Sequence, residues 1–531
     1  MSTNHRTIAA AALLLATIAS GAAFAQKSGG ILKMDHRDSP ASASIHEEAT
    51  YSVVIPFMGV FNNLVMYKQD TAQNSIDSIV PDLASSWSWN ADHTKLTFKL
   101  RNGVKWHDGK PFTSKDVKCT FDLLQGKGTA KFRKNPRKSW YDNLKEVATN
   151  GDLEATFVLE RAQPAFIALL ASGYTPVYPC HVSPADMRTQ PIGTGPFKFV
   201  EFKTNESIKV TRNKEYWKKD RPYLDGIEYT IIRNRSTANL AFISGKLDMN
   251  FPTNLTIAMT KDTQKQLPQA VCTIAPTNVS TNLIVNRDKP PFDNADIRKA
   301  MVLTLDRQAF VDILFEGQAD IGGAMLPPPA GYWGMTKEML QSVSGYGPDV
   351  KKNREAARKL MQKAGYGPDK RLKMQVSTRN IPIYRDPAVI LIDQLKEIYI
   401  DAELDVVETA NWHAKVARKD YSVGLNLTGS AVDDPDQNFY ENYACNSERN
   451  YTKYCNKELE DMFDKQSMEP NVEKRKKLVW EIDKTLQEDG ARPIILHSRA
   501  GTCWQPYVKG MTMMINSSYN GFRYEDVWLD K

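Results

Sequence analysis

The sequence predicts an α/β protein with more than one lobe, and three observations support that fold class. The chain has 531 residues and a mass of 59.9 kDa, which is large for a single hydrophobic core. Its early part shows the alternation typical of β-strands. Its later part contains a strand, a helix and a second strand in close succession, an order that indicates a βαβ unit and a parallel sheet.

Composition and charge exclude several classes of protein. Hydrophobic residues make up 41% of the chain and charged residues 25%. These fractions are typical of a globular protein and unlike those of a disordered chain, a coiled coil or a polytopic membrane protein. The net charge of +7 is small for this length. It disfavours a nucleic-acid binder, because such proteins concentrate basic residues on one face.

Residues 1–25 have the pattern of a cleavable secretory signal peptide. Arg6 supplies positive charge, Ile8–Ile18 is apolar, and Ala23–Ala25 has the A-x-A form of a cleavage site. The apolar run is too short to span a membrane. No cysteine precedes Cys119, so the sequence has no early cysteine that a lipid could modify. We therefore expect an exported protein that is not a lipoprotein and that resides in a bacterial periplasm.

The early β-rich part also contains a recognisable helix start. Lys95–Leu100 alternates polar and apolar residues and predicts a strand with one buried face. Turns are expected at Asn102–Gly103 and Asp108–Gly109. Thr113–Asp116 has the capping-box pattern of a helix N-terminus. The helix that follows places three apolar residues on one face, namely Val117, Phe121 and Leu124.

The later part supplies the βαβ unit and two long helices. Its strands are predicted at Leu372–Ser377 and Glu403–Val407. The helix between them is predicted to begin with Asp386 as N-cap and Pro387 at its first position. Helices are also predicted at Asn353–Ala364 and Val472–Asp489, each followed directly by a glycine.

The six cysteines suit an oxidising compartment. Cys445 and Cys455 lie ten residues apart across a polar loop, and we expect a disulfide that closes this loop. Two reduced thiols in the core are the alternative. The sequence leaves the pairing of the other four open: Cys119, Cys180, Cys272 and Cys503.

No catalytic or metal-binding motif is recognisable. The chain lacks a G-x-S-x-G elbow, a P-loop and a G-x-G-x-x-G turn. His46–Thr50 resembles the start of a zincin helix, but Thr50 stands where the second histidine would be needed. The eight histidines are scattered, and no two are spaced to share one helix face. We therefore predict that the protein is not an enzyme and has neither a cofactor nor a metal site.

Residues 81–122 read PDLASSWSWNADHTKLTFKLRNGVKWHDGKPFTSKDVKCTFD, which resembles the hallmark of family 5 extracellular solute-binding proteins of ABC transporters. That family contains dipeptide, oligopeptide and nickel-complex receptors. The resemblance continues at Pro191–Phe197, Asn213–Gly226, Asp293–Arg307 and Trp504–Gly510, and so covers essentially the whole mature chain. It implies a monomeric receptor that delivers a small molecule or peptide to an ABC permease and ATPase complex in the inner membrane. Nucleic acid is not an expected partner.

The resemblance also implies the fold, a type II periplasmic-binding-protein-like arrangement of two lobes with an extra subdomain (cluster C). Carried onto this chain, residues 26–75, 195–288 and 500–531 form the first lobe. Residues 76–194 form the extra subdomain and residues 289–499 form the second lobe. Closure about the strands that cross between the lobes would bury a solute.

In this family the polar segment after the first strand usually faces the ligand. Here that segment is Asp35–His46, and the alternative is a solvated loop. Asn63 is a further candidate, with a helix face of no ligand role as its alternative. The candidates expected in the first lobe are Ser39, Ser42, Ser44, His46 and Asn63.

Four candidates in the second lobe have side chains suited to a carboxylate or an apolar solute face. Arg379 and Arg385 can each bind a carboxylate in bidentate fashion, and Tyr384 can close over it. Surface charge before a helix is the alternative for both arginines. Trp412, expected between a strand and the next helix, can stack on the solute, with a core position as the alternative.

The segment Thr428–Phe439 departs from the dipeptide receptors. The similar segment of those receptors reads Thr-Gly-Asp-Asn-Gly-Asp-Pro-Asp-Asn. Its first aspartate binds the charged amino terminus of the peptide. Here Ser430 aligns with that aspartate, and Asp433 and Asp434 follow in a longer loop. If Asp433 occupies the same space, amine recognition survives; otherwise the solute lacks a free α-amino group. Capping of a turn is the alternative for Asp434, together with Asp436 on the other side of Pro435.

The leading hypothesis is a periplasmic receptor for a peptide or peptide-like solute. Ser430 favours the first alternative, a receptor for an opine, an oligosaccharide or another polar non-peptide metabolite. A nickel-complex receptor is disfavoured because paired histidines are absent from the sequence. A secreted hydrolase is the alternative from another class, and a chaperone-like holdase is a possible side activity.

Overall fold

The computed structural model describes residues 26–531, so the predicted signal peptide lies outside the described residues. Within 26–531 no helix is long and apolar enough to cross a membrane. The strands are β1 (Ile31–His36), β2 (Val65–Tyr67), β3 (Ile79–Pro81), β4 (Ala84–Trp89), β5 (Lys95–Leu100), β6 (Leu144–Thr149), β7 (Glu154–Leu159), β8 (Phe197–Lys203), β9 (Ser207–Arg212), β10 (Gly226–Ile231), β11 (Val271–Val285), β12 (Leu372–Arg379), β13 (Ile400–Val407), β14 (Val423–Gly429), β15 (Ile494–Trp504), β16 (Val508–Lys509) and β17 (Trp528–Leu529).

Helices fill most of the connections between these strands. They are α1 (Tyr51–Phe57), α2 (Ser114–Leu124), α3 (Phe166–Ala171), α4 (Pro184–Met187), α5 (Arg235–Ile243), α6 (Ile257–Gln266), α7 (Ala295–Leu303), α8 (Arg307–Phe315), α9 (Lys337–Gln341), α10 (Val350–Lys363), α11 (Pro382–Lys396), α12 (Thr409–Ala417), α13 (Pro435–Asn442), α14 (Lys457–Met468) and α15 (Val472–Glu488).

Three sheets organise the described chain, and we name its regions after them. Lobe 1 contains the sheet β1-β10-β9-β8, in which β1 is parallel to β10 and the other pairs are antiparallel. Lobe 2 contains the mixed sheet β13-β12-β14-β11-β15. The subdomain contains the antiparallel sheet β4-β5-β7-β6. The exact boundaries between these regions stay a prediction.

The subdomain follows the local signals of the sequence closely. β5 has the predicted bounds, and the side chains of Leu96 and Phe98 are fully buried on one face. α2 begins after Thr113, which forms a capping box with Asp116. The ring of Phe121 on the buried face of α2 lies 4.6 Å from the ring of Phe157 on β7, so the helix packs on this sheet.

The predicted βαβ unit is present in lobe 2, but its helix begins earlier than expected. β12 and β13 are parallel, as predicted. α11 begins at Pro382 with Ile381 as N-cap, so the predicted start at Asp386 and Pro387 is wrong. Pro382 has the fixed φ that favours the first helical position. Pro387 is tolerated inside the helix at the loss of one backbone hydrogen bond.

Two long antiparallel strands, β11 and β15, connect the lobes. The first half of β11 pairs with the end of β15 beside lobe 1, and its second half pairs with β14 in lobe 2. Met249 bridges the sheet of lobe 1 to β15, because it pairs with Met34 on one side and Trp504 on the other. The pairing of β11 with β15 is irregular between Pro276 and Ser280.

All six cysteines form disulfides. Cys445 and Cys455 are paired as predicted, with Cα atoms 4.7 Å apart. The pairings that the sequence left open are Cys119–Cys180, which ties α2 to the loop after α3, and Cys272–Cys503, which joins opposite residues of β11 and β15.

Candidate functional site

The seam between the two lobes contains a central cavity of about 30 Å³. Lobe 1 contributes Arg37 and Tyr51 to its wall, lobe 2 contributes Arg379 and Tyr384, and the crossing strands contribute the hydroxyls of Thr277 and Ser498. A second cavity of about 50 Å³ shares part of this wall. Pockets that hold small molecules usually measure about 300–1,000 Å³. The lobes therefore lie close together here, and a solute of dipeptide size requires them to separate.

The loop after β1 brings Asp38 across the seam to lobe 2. Its Oδ2 accepts hydrogen bonds from Nη2 of Arg379 and from Oγ1 of Thr409, both at 2.6 Å. Ser52 on α1 donates to the other carboxylate oxygen. Burial by itself raises the pKa of Asp38, but the charges of Arg379 and Arg37 outweigh burial and hold this pKa well below its usual range. Asp38 is therefore ionised at neutral pH and holds the two lobes together.

Arg379 ends β12 and is 1% exposed. Its guanidinium also donates to the hydroxyl of Tyr384 at 3.1 Å and to Thr409. The carboxylate that this arginine binds in the structure is thus Asp38 of its own chain. The alternative of a surface charge before a helix is wrong for Arg379, because the side chain is buried at the seam.

Arg37 presents a different environment only one residue away from Asp38. Its side chain is 7% exposed, and among residues 26–531 it has neither a hydrogen-bond partner nor a carboxylate within 4 Å. The guanidinium stacks over the rings of Phe251 at 4.9 Å and Tyr51 at 5.8 Å. Burial lowers the pKa of Arg37; the charge of Asp38 opposes this effect and that of Arg379 adds to it.

Arg449 is the third guanidinium in the wall of the central cavity. It pairs with the carboxylate of Glu441, which also accepts a hydrogen bond of 2.8 Å from the indole of Trp140 in the subdomain. Burial lowers the pKa of Arg449, but the charge of Glu441 outweighs burial and raises it. Three guanidiniums therefore line this cavity, whereas none of its lining residues in the described chain is acidic.

The segment 39–46 is buried apart from the half-buried Ala41, so the solvated-loop alternative is wrong. Ser39 lines a neighbouring cavity of about 260 Å³ and accepts a hydrogen bond of 2.7 Å from the backbone of Asn205. Ser42 donates to Glu48. Ser44 is fully buried next to it, and neither serine lines the central cavity.

The side chain of His46 is buried against the segment that contains Pro176 and Tyr178, and it does not line the central cavity. Its Nε2 lies 2.8 Å from the carbonyl oxygen of Pro176, and its ring contacts that of Tyr178 with centroids 4.3 Å apart. Burial, with a further effect of Arg137, lowers the pKa of His46 to about 3. The ring is therefore neutral at physiological pH.

Asn63 and Trp412 also lie away from the central cavity. Asn63 donates to the carbonyl of Ser172 at 2.6 Å and holds the chain after α3. Trp412 is fully buried and packs with Ile284, while its indole donates to Asn426 at 3.3 Å. The position predicted for Trp412, between a strand and a helix, is wrong because α12 begins three residues earlier, at Thr409.

Arg385 and Tyr384 lie on the first turn of α11 but have different surroundings. Tyr384 is buried in the wall of the central cavity. Arg385 is half-buried, donates to the side chain of Asn380 at 3.4 Å and is not among the residues that line the cavity.

The loop that differs from dipeptide receptors turns away from the central cavity. Ser430 is buried, and its backbone N–H donates to the carbonyl of Asn278. Asp433 accepts hydrogen bonds from the backbone of Tyr332 at 2.9 Å and from the amide of Asn516 in lobe 1 at 3.1 Å. Burial raises the pKa of Asp433 to about 7, against the effect of these hydrogen bonds. Neither residue lines the central cavity.

Asp434 caps a helix and forms an internal ion pair. It is the N-cap of α13 and accepts a hydrogen bond from the backbone of Asp436 at 2.9 Å. Both of its carboxylate oxygens bind the guanidinium of Arg475, each at 2.8 Å. The capping alternative is therefore confirmed for Asp434.

Of the six charged or aromatic residues of the cavity wall, sequence reasoning found Arg379 and Tyr384 and missed four: Arg37, Tyr51, Arg449 and Tyr519. Arg37 lies inside the polar segment that was singled out, but nothing in the sequence distinguishes it from a solvated arginine. Tyr51 and Tyr519 stack with ring centroids 4.0 Å apart although they are far apart in the chain. Arg449 lies in the loop that the Cys445–Cys455 disulfide closes, which is the one available signal for it.

No group of three or more His, Cys, Asp or Glu side chains in the part of the chain from residue 26 onward is arranged to hold a metal ion.

Residues 78–450 match the family model described as "Bacterial extracellular solute-binding proteins, family 5 Middle". Among curated relatives, heme-binding protein A of Haemophilus influenzae is 25% identical over 484 residues, which is 85% of this chain and 84% of that protein. The dipeptide-binding protein of Escherichia coli is 23% identical over 498 residues, 89% of each chain.

Solved structures have the same fold. DppA of Helicobacter pylori in complex with the peptide STSA superposes with a TM-score of 0.81 at 22% identity, covering 95% of this chain and 99% of that one. AgaA of A. tumefaciens R10 in complex with agropinic acid has a TM-score of 0.79 at 22% identity, covering 94% and 99%. Likeness at this level of identity establishes the architecture of two lobes and a seam.

Proposed function

We propose, from the premise that this chain belongs to the family 5 bacterial extracellular solute-binding proteins, that it binds a small peptide or peptide-like solute at the seam and delivers it to an ABC importer. The observation that carries the proposal is the central cavity. Both lobes and both crossing strands build its wall, so a solute held there contacts every part that must move for it to enter or leave.

The chemistry of the wall suits a small polar molecule with an apolar face. Guanidinium groups bind carboxylates through paired, charge-assisted hydrogen bonds. The rings of Tyr51, Tyr384 and Tyr519 offer flat surfaces. The hydroxyls of Thr277 and Ser498, which bond each other and strand carbonyls, add polar surface. Relatives named as dipeptide-binding and di/tripeptide-binding proteins support a peptide as the solute class.

The contact of Asp38 with Arg379 and Thr409 gives the closing step a physical basis. When the lobes separate, Asp38 and Arg379 regain water, and the cavity opens to a size that admits a solute. When the lobes close, the ion pair re-forms beside the solute in a site from which water is excluded. The permease of the importer then recognises the closed form, and the solute leaves unchanged.

A second candidate solute class has its own supporting observation. Asp433, the residue proposed to bind a peptide amino terminus, turns away from the cavity to Tyr332 and Asn516, and Ser430 is engaged with the backbone. This arrangement favours a solute without a free α-amino group, such as an opine or another polar metabolite. The residues proposed to contact either class are Arg379 and Tyr384, with Arg385 at the edge.

The remaining parts of the proposal follow from the family. We propose that residues 1–25 direct export, that the mature chain is a periplasmic monomer, and that its partners are the permease and ATPase of an importer. We also propose that it has no catalytic activity. Its proposed structural units are a first lobe of residues 26–75, 195–288 and 500–531, an extra subdomain of residues 76–194, and a second lobe of residues 289–499.

Isothermal titration calorimetry on the purified mature protein tests the solute class. One panel contains dipeptides and tripeptides, and a second contains opines, oligosaccharides and other polar metabolites. Binding confined to the second panel overturns the peptide proposal in favour of the second candidate. Mass spectrometry of the solute after long incubation tests the absence of catalysis, because recovery of cleaved solute identifies a hydrolase.

A further inference from the structure

The central cavity contains more positive charge than the chain compensates. Arg379 and Arg449 each have one carboxylate partner, Asp38 and Glu441 respectively, and both partners lie outside the cavity wall. Arg37 lies in the same wall and has no ion-pair partner among the described residues. One buried guanidinium at the seam therefore has no carboxylate within 4 Å, and the neighbouring charge of Asp38, which Arg379 binds directly, compensates it only in part.

The adjoining cavity of about 50 Å³ contains a second guanidinium without an ion-pair partner within 4 Å in the described chain, although Asp386 also lines this cavity. Arg235 lines it, and its Nε is buried without a hydrogen-bond partner in the chain from residue 26 onward. Burial lowers the pKa of Arg235; the charge of Asp386 opposes this effect and that of Arg37 adds to it. The charges of Arg37 and Arg235 therefore act on each other across the two cavities, which share the residues Thr253, Ile383 and Ser498.

An unpaired buried charge is costly, because the protein interior replaces water poorly. The rings of Phe251 and Tyr51 compensate Arg37 only in part, through cation–π contacts. A solute that brings a carboxylate to Arg37 supplies the missing counter-charge, whereas an uncharged group of the same size leaves the guanidinium unpaired. The wall of the central cavity offers no carboxylate for a solute ammonium group.

We infer that the solute has a net negative charge: it is an acidic peptide or a peptide-like molecule with more than one carboxylate, and one of these carboxylates binds Arg37. This inference rests on the proposed function and adds the charge class of the solute to it. Arg37 is then the residue that distinguishes an anionic solute from a neutral one of the same shape.

Matched pairs of solutes test the inference by calorimetry on the full mature protein. Ala-Glu and Ala-Gln have the same size and differ by one negative charge, and N-acetyl-Glu and N-acetyl-Gln form the same comparison without a free amine. We expect the acidic member of at least one pair to bind about ten-fold more tightly, the difference that one charge-assisted hydrogen bond produces. Equal affinities within both pairs overturn the inference.

Variants of Arg37 assign the preference to this side chain. In Arg37→Met we expect the affinities of the acidic and neutral members of each pair to differ by about two-fold or less. In Arg37→Lys we expect part of the preference for the acidic member to remain, because the positive charge remains. Arg418→Met is the matched control: it removes the same charge from an exposed arginine on the end of α12 and leaves the ratio unchanged. A preference that persists in Arg37→Met overturns the assignment.

The outcomes for the charge class and for the proposed function are distinguishable. If neutral and acidic peptides bind equally well, the protein is a peptide receptor and the inferred charge class is wrong. If no solute of either calorimetry panel binds, the proposed function and the inference fall together. If Arg37→Met does not fold, the ratio in the native protein and in Arg37→Lys decides the question.

Discussion

Two buried arginines of this protein have opposite surroundings. Every nitrogen of the Arg475 guanidinium has a partner in lobe 2: Nη1 and Nη2 bind Asp434, Nη2 also binds Asp436, and Nε binds Gln466. Arg37 at the seam is equally enclosed but has aromatic faces beside it and neither a hydrogen-bond partner nor an ion pair within 4 Å among the described residues. A compensated buried charge fixes a structure, whereas an uncompensated one leaves an interaction for a partner to complete.

The same contrast separates the two sides of the central cavity. Outside its wall, Asp38 and Glu441 neutralise Arg379 and Arg449. Inside its wall the guanidinium groups face space without an acidic residue. If compensation by neighbours distinguishes a structural arginine from a binding one, substitutions of Arg475 and Arg37 must have different effects on stability.

The largest effect is expected for Arg475→Met. This substitution leaves Asp434 and Asp436 buried without their cation, and we expect the free energy of unfolding to fall by about 3–5 kcal/mol. Chemical denaturation followed by tryptophan fluorescence measures it. Lys477→Met, an exposed position on the same helix, is the control and is expected to stay within about 0.5 kcal/mol of the native protein. A loss below about 1 kcal/mol for Arg475→Met contradicts the compensation argument.

A smaller effect is expected from pH through Asp433. Its pKa is raised to about 7 in the folded protein from 3.8, so the folded state holds a proton that the unfolded state releases between these values. The contribution of Asp433 to stability is thus fully present below about pH 4 and is lost as the pH rises through 7. Asp433→Asn removes this dependence, and we expect a change of about 3–4 kcal/mol across that range relative to the native protein, at about 1.4 kcal/mol for each pH unit by which the pKa is raised.

Stability is measured against pH for the native protein and for Asp433→Asn, and the difference between the two curves reports on Asp433. The buried histidines, whose lowered pKa values change stability in the opposite direction, are present in both proteins. Thermal unfolding midpoints between pH 4 and pH 8 provide the curves. Asp461→Asn, on the exposed side of α14, serves as the control and is expected to reproduce the native curve. The prediction fails when Asp433→Asn and the native protein have parallel curves.

Arg37→Met is expected to change the stability of the solute-free protein by only about 1 kcal/mol in either direction. The substitution removes the cost of a buried unpaired charge and, with it, cation–π contacts of about 1–2 kcal/mol. Denaturation under the conditions used for Arg475→Met measures the difference between the two arginines directly. A loss of more than about 3 kcal/mol would show that Arg37 has a structural partner after all.

The smallest effect is expected for Arg385→Met. This side chain is half-buried, donates one hydrogen bond, to Asn380, and does not line the central cavity. We expect the substitution to weaken solute binding by less than about 1 kcal/mol, as for a charge at the rim of a site. Calorimetry with the best solute of the panels measures it, with Arg418→Met as the control. A loss of about 2–5 kcal/mol would place Arg385 in direct contact with the solute.

Local signals in the sequence predicted local structure well. The alternation of Lys95–Leu100 and the capping box at Thr113 act within a few residues, and both elements are present as predicted. The disulfide between Cys445 and Cys455 closes a short loop and was predictable for the same reason. α11 began earlier than predicted because two prolines competed for the first position, and sequence alone ranks them poorly.

The candidate site could be predicted only in part, because its residues depend on contacts with residues that are distant in the chain. Arg379 was singled out as a carboxylate ligand, but its partner Asp38 lies 341 residues away in the chain. Trp412 has the residue type of a stacking platform, yet it is fully buried beside Ile284 because α12 turns it inward. Whether an arginine is compensated depends on neighbours that only the fold brings together, so Arg37 could not be recognised from its sequence context.

The disulfide between Cys272 and Cys503 has a consequence for how the molecule can flex. It covalently links β11 to β15 on the lobe 1 side of the stretch between Pro276 and Ser280, where the pairing of the two strands is irregular. We expect the cross-linked part of the two strands to move as one unit, so that the strands bend at the irregular stretch, which has no cross-link. We therefore expect the lobes to move relative to each other by a hinge motion at this stretch, with little relative twist of the two strands on the lobe 1 side.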